Sequence, residues 1–445
     1  MSAPESKARD TIFALASGAP ASAIAVIRVS GDDAGAGLAA LVGSLPEPRR
    51  AALMTVRDPA DGEMVDRGLV LWFPGPASFT GEDSFELHLH GGRAVIAAAM
   101  MVLGALAGFR PAEAGEFTRR SFVAGRMDLT EAEGLADLID ADTDGQRRAA
   151  IQQMGGSIRK QYELWAAEIV RARALLEAEL DFSEEDGVSG AWVADGRSRL
   201  ALVKSQMEAA LSGFEGARMI REGIDVMILG PVNAGKSTLL NAVAGRDVVI
   251  VSAEPGTTRD LVEVTTELGG RKVTFVDGAG LRETESAIES EGVRRAQGRA
   301  KLADLVLWVS TGDIDPPSDL GTGDRVWRLA GKADMIDPIA LTGLRADGWV
   351  PVSGLTGVGL DVLLRRIGDW ASRHTAGENA AVTRERHRVA LVQSVERVGR
   401  AEETDALEVA AEELRLASEG LGRVTGRTDV EDVLDVVFSQ FCIGK

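Results

Sequence analysis

The stretch Gly230-Pro-Val-Asn-Ala-Gly-Lys-Ser237 decides the fold of the central part of this 445-residue chain. It matches the pattern G-x-x-x-x-G-K-[ST] and directly follows the apolar run 226–229. In this pattern the glycines let backbone N–H groups converge on phosphate oxygens, and the helix that follows, predicted over 238–243, presents its positive end to the anion. The sequence therefore predicts a phosphate-binding loop in which Lys236 meets the outer phosphates and the Ser237 hydroxyl ligates Mg2+.

The composition limits the class of protein. A length of 445 residues predicts two to three domains. The single cysteine, Cys442, excludes a disulfide framework and a cysteine-based zinc site, so we expect a reducing, cytoplasmic setting. The formal net charge of −19 argues against a broad basic surface, and we expect no DNA partner. We expect no membrane association, because the longest apolar run, 94–109, is 16 residues long, whereas a span needs ~20. That run is predicted to form a buried helix.

The N-terminal part of the chain mixes strand and helix patterns. Strands are predicted over 23–29, 68–73 and 85–90. The last of these alternates strictly, with apolar residues at 85, 87 and 89 on one face and Glu86, His88 and His90 on the other. The two histidines could share a metal ion, but a third ligand is not apparent nearby, so a metal site is the less favoured interpretation.

The later part of the chain changes periodicity twice. Helical patterns run from 127 to about 218 and return from about 383 to the end, whereas 221 to about 370 alternates strand and helix, as a doubly wound, mostly parallel sheet does. An α/β domain inserted into one helical domain is the economical interpretation. The predicted fold class is thus α/β plus α, with an N-terminal α+β domain at 1–124, helical halves at 125–220 and 376–445, and a nucleotide domain at 221–375.

Three further segments carry the chemistry of a GTP site. In Pro255-Gly-Thr-Thr-Arg-Asp260 a threonine hydroxyl could ligate Mg2+ and sense the γ-phosphate. Asp277 would lie beside the metal, and Gly280 could donate its N–H to the γ-phosphate. In the Lys332-x-Asp334 pair the aspartate can accept two hydrogen bonds from the N–H groups of guanine, which adenine does not offer. The order of these segments favours GTP over ATP.

Two features depart from the usual pattern of such sites. Gly331 stands where an asparagine is usual, and loss of the asparagine amide should weaken base binding by ~1 kcal/mol. The segment 352–355, Val-Ser-Gly-Leu, departs in a similar way from the usual Ser-Ala-Lys. Leu281 stands where many GTPases have a water-placing glutamine. The attacking water must therefore be held by a partner or by an acidic side chain of the run Glu283, Glu285 and Glu289, unless these only solvate a helix N-terminus.

At this point the chain resembles the MnmE (TrmE) family of tRNA-modification GTPases over almost its whole length. The resemblance includes 10–13, 27–31, 71–76, Ser78-Phe-Thr-Gly-Glu-Asp83, 90–92, Gly115-Glu-Phe-Thr-Arg-Arg120, Asp128-Leu-Thr-Glu-Ala-Glu133, 233–237, 255–260, 277–282 and Phe441-Cys-Ile-Gly-Lys445.

The resemblance implies an N-terminal domain that binds folate and dimerises, a discontinuous helical domain and an inserted Ras-like P-loop G-domain. It implies a homodimer whose one-carbon donor is a tetrahydrofolate derivative, 5-formyl- or methylene-tetrahydrofolate. It also implies K+-dependent GTP hydrolysis coupled to G-domain dimerisation. In a heterotetramer with the FAD-dependent partner GidA (MnmG), the family adds an aminomethyl or carboxymethylaminomethyl group at C5 of the wobble uridine of certain tRNAs.

The resemblance also assigns roles by position. Folate would be bound by Arg28, Glu86, Arg126 and Lys445. K+ would be held by Asn233, Ser252, the carbonyl of Glu254 and Thr257, and Mg2+ by Ser237 and Thr258. The catalytic set would be Glu289, which positions the water, with Lys236, Asn233 and Cys442, while Arg259 and Arg282 remain rival transition-state stabilisers. The GTP-binding set would be Asn233, Ala234, Gly235, Lys236, Ser237, Thr238, Ser252, Thr257, Thr258, Asp277, Gly280, Lys332, Asp334 and Ser353.

Two residues depart from the family pattern, and two alternative functions remain open on the sequence alone. Arg126 replaces the usual lysine of the family, and Gly278 replaces a threonine. A regulatory or ribosome-assembly GTPase is the first alternative, and a folate-storage or aminomethyl-transfer protein with a degenerate nucleotide site is the second. The segments 82–92 and 442–445 favour the tRNA-modification enzyme.

Overall fold

A computed structural model describes the chain in two compact units. It covers residues 10–18, 21–182, 191–246, 263–278, 301–320, 323–375 and 380–428, together with 434, 437–439, 441 and 444. The first unit is drawn from Met1–Ala136, Tyr162–Ala166 and Ser418–Lys445. The second is drawn from Asp137–Gln161 and Ala167–Ala417.

The first unit is built on a mixed sheet. In the described residues it has six strands in the order β3-β4-β5-β2-β1-β6. Neighbouring strands are antiparallel except β1 and β6, which are parallel. The strands are β1 Thr11–Leu15, β2 Ile24–Ser30, β3 Ala52–Arg57, β4 Met64–Phe73, β5 Ser84–His90 and β6 Phe109–Pro111.

The predicted alternation of β5 is confirmed. Phe85, Leu87 and Leu89 are 0–2% exposed and lie in the main core of this unit, where the side chains of β2 and β4 join them. Because side chains alternate across a strand, Glu86 and His88 are directed to the opposite face, where they are only partly covered. One face of the sheet thus makes the main core, and the other face carries Glu86 and His88 together with a smaller buried cluster around Ile12 and Phe117.

Three helices complete the main part of this unit: α1 Ala34–Val42, α2 Arg93–Ala105 and α3 Glu116–Val123. The helix predicted for 94–109 is present as α2, but the expectation that it is buried is wrong. Only Ala99, Val102 and Leu103 of α2 are buried, whereas Met101 is 70% exposed. The helix covers the sheet with one face, so its small and apolar residues on the other side remain exposed.

A second cluster of the first unit joins the start of the following helix to the C-terminal segment. Leu129 and Ala132 of α4, Leu129–Ile139, pack with Phe438 and Phe441. The C-terminal segment thus belongs to the core of the unit that holds the N-terminal sheet.

The remaining helices of the helical segments range from 9 to 26 residues in length. They are α5 Asp144–Met154, α6 Ser157–Phe182, α7 Ala191–Ser212, α8 Phe214–Glu222, α12 Glu385–Glu403 and α13 Leu407–Thr425. The sequence starts α5 with a capping box, because Thr143 accepts a hydrogen bond from the Gln146 N–H and the Gln146 side chain accepts one from the Thr143 N–H. No helix in the described ranges is both long and apolar enough to cross a bilayer.

The second unit contains the mostly parallel sheet predicted for 221–375. Its six described strands have the order β12-β11-β10-β7-β9-β8, and only β8 is antiparallel to its neighbour. The strands are β7 Ile224–Leu229, β8 Glu263–Leu268, β9 Arg271–Asp277, β10 Leu305–Ser310, β11 Val326–Ala330 and β12 Val350–Pro351. The helices are α9 Lys236–Ala244, α10 Pro338–Ala346 and α11 Leu360–His374, with short 3-10 turns at Ser318–Leu320 and Ala333–Met335.

The position of β7 in this sheet fixes the place of a ligand site. β7 lies between β9 and β10, so the strands that follow it in the chain lie on both sides of it in the sheet. In open α/β sheets a crevice forms at such a switch point, beyond the carboxyl ends of the strands. The loop 230–235 lies at that point.

The other end of β9 is tied to neighbouring segments of the same unit. The buried Arg271 donates a hydrogen bond from Nε to the Thr375 Oγ1 at 2.7 Å. Next to it, Lys272 Nζ lies 2.7 Å from Asp142 Oδ2, just before α5. One strand thus runs from the switch point to the helical residues of the unit.

The two faces of the N-terminal sheet allow a matched test of its core. Leu87→Ala should lower the free energy of unfolding by about 2–5 kcal/mol, because it leaves a cavity among fully buried neighbours. Leu53→Ala is the control, since Leu53 is 59% exposed on the same sheet and its loss should cost less than about 1 kcal/mol. Urea unfolding followed by circular dichroism measures both, and equal costs would contradict the assignment of the core face.

Candidate functional site

The loop after β7 has the backbone that a phosphate site requires. Gly230 and Gly235 have φ angles of 147° and 99°, and Asn233 has a φ of 61°. Positive φ is readily available to glycine and, among other residues, mainly to asparagine and aspartate, which explains why these residue types stand here. The loop ends at α9, whose first N–H groups have no partner within the helix and so suit an anion.

Lys236 and Ser237 connect this loop to its surroundings. Lys236 is 9% exposed, and its Nζ donates to the carbonyl oxygens of Gly230 and Pro231 at 3.0 and 2.9 Å. The Ser237 hydroxyl donates to Asp277 Oδ2 at 2.6 Å, which joins the start of α9 to the end of β9. A hydroxyl and a buried carboxylate side by side form an oxygen donor set that fits Mg2+.

A pocket beside the loop collects the residues predicted to read the base. It has a volume of about 200 Å3 and is lined by Ala234, Gly235, Thr238, Leu239, Val309, Gly331, Lys332, Asp334, Met335, Val352, Ser353, Gly354 and Leu355. The side chain of Lys332 lies beside the loop, because its Cγ would lie 3.9 Å from a Cβ built on Gly235. Ser353 is 1% exposed and its hydroxyl accepts the Thr356 N–H at 3.2 Å, so it also supports the loop that it belongs to.

The hydrogen-bonding groups of the pocket complement the edge of guanine. Within the described part of the chain, the exposed Asp334 carboxylate and the N–H groups of Gly354 and Leu355 make no hydrogen bond. Guanine presents two N–H donors and one carbonyl acceptor along one edge. A carboxylate acceptor and free N–H donors on the same pocket suit that edge.

The structure gives a spatial reason for Gly278, where the family has threonine. A Cβ built on Gly278 would lie 2.5 Å from Leu229 Cδ2 and 3.0 Å from the Ile228 carbonyl oxygen. The side chain of Leu229 therefore fills the space that a residue larger than glycine would need.

A second polar site lies on the outer face of the N-terminal sheet. Arg28 on β2 and Glu86 on β5 are cross-strand partners, and Arg28 Nε and Nη2 donate to Glu86 Oε1 at 3.1 and 3.0 Å. The other carboxylate oxygen of Glu86 lies 3.1 Å from His88 Nε2. The guanidinium of Arg28 lies 5.6 Å from the ring centre of Phe79 and 5.9 Å from that of Phe117, within the range of cation–π attraction.

Arg126 is the third described residue of the predicted folate set. It is exposed, and its side-chain stem would lie 3.7 Å from a Cβ built on Gly81. Its backbone N–H donates to the carbonyl of Ser121, whose hydroxyl in turn donates to the carbonyl of Phe79. The described contacts thus link Arg126 to Phe79, whose ring lies beside Arg28. Among the described contacts, no hydrogen bond joins Arg126 to the Arg28–Glu86 pair.

Sequence reasoning missed an ion-pair network behind this site. Arg120 is 10% exposed and bonds both oxygens of Glu82 at 3.1 Å and Glu116 at 3.1 Å, while Ser30 donates to Glu82 at 2.7 Å. Burial raises the pKa of Glu116, but hydrogen bonds from Arg110 and the Glu113 N–H outweigh it and hold the pKa below its usual value. The segments 78–83 and 115–120 were part of the resemblance to the family, but only the fold shows that their charged side chains meet.

The histidines of β5 have partners other than a metal. His88 contacts Glu86, and His90 Nδ1 lies 2.9 Å from Asp66 Oδ1. Among the described residues no group of three or more His, Cys, Asp or Glu side chains is arranged to hold a metal ion.

Several predicted site residues lie outside the described residues. For the nucleotide site and its ions they are Ser252, Glu254, Thr257, Thr258, Arg259, Gly280, Arg282 and Glu289. For the N-terminal and C-terminal parts they are Lys445 and Cys442.

The contacts of Lys236 generate a direct test of the phosphate site. Lys236→Ala should weaken GDP binding in Mg2+ by ~100-fold, because it removes a charged donor to the phosphates worth about 3 kcal/mol. Fluorescence titration with a labelled GDP measures the change. Lys160→Ala, an exposed lysine on α6, is the control and should bind as the unaltered protein does. Unchanged binding in Lys236→Ala would contradict the phosphate assignment.

Comparison with known proteins gives two family models and near full-length relatives. The family model "MnmE helical domain" matches residues 129–442, and "GTP-binding protein TrmE N-terminus" matches residues 11–126. A relative from Rhodopseudomonas palustris called tRNA modification GTPase MnmE is 46% identical over 98% of this chain and 99% of its own length. A Brucella anthropi protein of the same name is 48% identical over 98% of both chains.

A match among solved structures covers a smaller part. A crystal structure of Aquifex aeolicus Era bound to GDP and AlF4− is 27% identical over 33% of this chain and 56% of that chain, with a TM-score of 0.27. The near full-length relatives and the two family models are sufficient: the chain belongs to the MnmE family of tRNA-modification GTPases.

Proposed function

We propose that this protein is a K+-dependent GTP hydrolase that acts with GidA (MnmG) to modify C5 of the wobble uridine of certain tRNAs, adding a carboxymethylaminomethyl or aminomethyl group. The observation that carries the GTPase part is the meeting of the 230–237 loop, Asp277 and the base pocket at one edge of the sheet. The tRNA part rests on the printed names of relatives that match nearly the whole chain.

The base pocket supports guanine as the base. Asp334 would accept two N–H bonds, and the N–H of Gly354 or Leu355 would donate to the carbonyl oxygen. Adenine offers an amino group where guanine has that oxygen, so it would leave a donor facing a donor. Unpaired polar groups of this kind cost about 1–3 kcal/mol each, which favours GTP.

The loop supports phosphoryl transfer by charge stabilisation. The proposal assigns Lys236 and the N–H groups at the start of α9 to the negative charge of the phosphates, and Ser237 with Thr258 to Mg2+. Bound K+ would supply the positive charge that an arginine finger brings elsewhere, held by Asn233, Ser252, Glu254 and Thr257. The place of Asn233 within the phosphate loop itself supports its part in this set.

Glu289 is the proposed water-positioning residue. Leu281 has no polar group to hold water, so the proposal assigns this role to a carboxylate of the following segment. Glu289, Lys236 and Asn233 form the proposed catalytic set in the G-domain, and Cys442 is assigned to the modification reaction.

The N-terminal polar site supports binding of a tetrahydrofolate derivative. A pterin ring carries adjacent N–H groups that a carboxylate such as Glu86 can accept as a pair, and Phe79 offers an aromatic face beside it. Arg28, Arg126 and Lys445 provide positive charge for the carboxylates of the folate tail. The proposed donors are 5-formyl- and methylene-tetrahydrofolate.

The proposed assembly follows the family. The protein would be a cytoplasmic homodimer joined by N-terminal domains at 1–124, with a G-domain at 221–375 inserted between helical halves at 125–220 and 376–445. It would form a heterotetramer with GidA (MnmG) and act on tRNA.

The K+ dependence can be tested by GTP turnover. Turnover in K+ should exceed that in Na+ at matched ionic strength by ~10-fold or more, since one stabilising charge at the phosphates is worth a few kcal/mol. Glu289→Ala should remove most of the stimulated rate, whereas Glu267→Ala, a glutamate of β8, should not. Equal slow rates in both salts, unchanged by Glu289→Ala, would overturn the proposal for the G-domain.

Folate binding can be tested at the Arg28–Glu86 pair. Glu86→Gln should weaken binding of 5-formyltetrahydrofolate at least 10-fold, because the amide cannot accept two N–H bonds and leaves Arg28 without its charge partner. Isothermal titration calorimetry measures the dissociation constant. Glu47→Gln, an exposed glutamate of the same unit, is the control. Folate binding that is unaffected by Glu86→Gln would place the folate site elsewhere.

A further inference from the structure

Two loops that border the base pocket carry glycine where the usual pattern has a larger residue. Gly331 stands in place of asparagine, and Gly354 stands in place of alanine. Neither has a positive φ angle, so backbone conformation does not require glycine at either position. The reason must be sought in the space around their α-carbons.

That space is occupied by the backbone of the phosphate loop and of α9. A Cβ on Gly331 would lie 2.6 Å from the Ala234 carbonyl oxygen and 2.8 Å from Val309 Cγ1. A Cβ on Gly354 would lie 2.6 Å from the Thr238 carbonyl oxygen and 2.7 Å from the Leu239 nitrogen. Real Cβ atoms essentially never approach other heavy atoms this closely, and main-chain atoms cannot rotate away as a flexible side chain can.

The two loops are also joined to each other. The Val352 N–H donates to the Ala330 carbonyl at 2.9 Å, and the Ala333 N–H donates to the Val352 carbonyl at 3.2 Å. Gly331 is anchored in turn to β10 by its N–H, which donates to Ser310 at 2.7 Å. A displacement of either loop is therefore passed to the other, and with it to Asp334.

We infer that Gly331 and Gly354 are specificity-determining residues that hold both base-reading loops against the phosphate loop. In this chain, direct backbone packing replaces the asparagine amide of the usual pattern. This packing sets the distance between Asp334 and the phosphate loop. This inference rests on the proposed function, because it assumes that guanine nucleotides bind in this pocket. It reverses the expectation from the pattern alone: putting asparagine back at 331 weakens guanine binding instead of restoring it.

The test compares GDP with inosine diphosphate, which lacks the 2-amino group that Asp334 would bind. Full-length Gly331→Asn, Gly331→Ala and Gly354→Ala should each bind GDP at least 10-fold more weakly than the unaltered protein in Mg2+. The preference for GDP over inosine diphosphate should fall toward one, which a general loss of stability would not cause. Gly343→Ala on α10 is the control, since a Cβ there meets nothing within 4 Å.

Two further measurements separate the backbone contact from the side-chain contact and from a loss of folding. The double variant Gly331→Ala/Val309→Ala removes the contact with the Val309 side chain but keeps the contact with the Ala234 carbonyl. GDP binding should therefore stay weak. Recovery of GDP binding would overturn the role of the loop backbone. Thermal melting identifies variants that do not fold, and an unchanged preference in folded Gly354→Ala would overturn the inference by itself.

The decisive outcome is the direction of the Gly331→Asn effect. GDP binding in this variant that equals or exceeds that of the unaltered protein would overturn the inference and leave the proposed function intact. Failure of the unaltered protein to bind GDP would instead overturn the proposed function, and the inference with it.

Discussion

The hydrogen bond from the Ser237 hydroxyl to Asp277 is the contact on which the nucleotide site depends. It joins the first turn of α9 to the last residue of β9, on either side of the crevice created by the position of β7. Lys236 closes the loop from within by donating to two of its carbonyls. The buried ammonium of Lys236 thereby has two hydrogen-bond acceptors within the loop.

The two candidate sites satisfy their polar groups in different ways. In the base pocket, the described contacts leave Asp334 and the N–H groups of Gly354 and Leu355 available, so a ligand adds hydrogen bonds without breaking any. In the N-terminal site, both oxygens of Glu86 are already bonded, one to Arg28 and one to His88. A ligand there has to exchange an existing ion pair, so its selectivity depends on how well it replaces both partners.

Sequence reasoning was strongest where the chemistry is local. The spacing of Gly230, Gly235 and Lys236 fixes a strand, a loop and a helix in one short segment, and the alternation of β5 identifies its core face. It was weaker for α2, because an Ala-rich apolar run does not show which face meets the sheet. Residue patterns alone could not show that Arg28 lies opposite Glu86, since that depends on the register of β2 and β5. Nor could they explain Gly331, because a sequence shows that a side chain is missing and not which atoms fill its space.

The anchoring of β9 at both ends has a mechanical consequence. Asp277 at one end shares a hydrogen bond with the phosphate-loop helix, while Arg271 and Lys272 at the other end bond Thr375 and Asp142. An extended strand held in a sheet neither stretches nor shortens appreciably, so it behaves as a stiff rod. A shift of Asp277 along the strand axis would therefore act on the contacts of Arg271 and Lys272 at the other end, and Lys272 bonds Asp142 just before the capping box that begins α5. The strand thus connects the crevice to the first turn of a helix through two contacts and one extended segment.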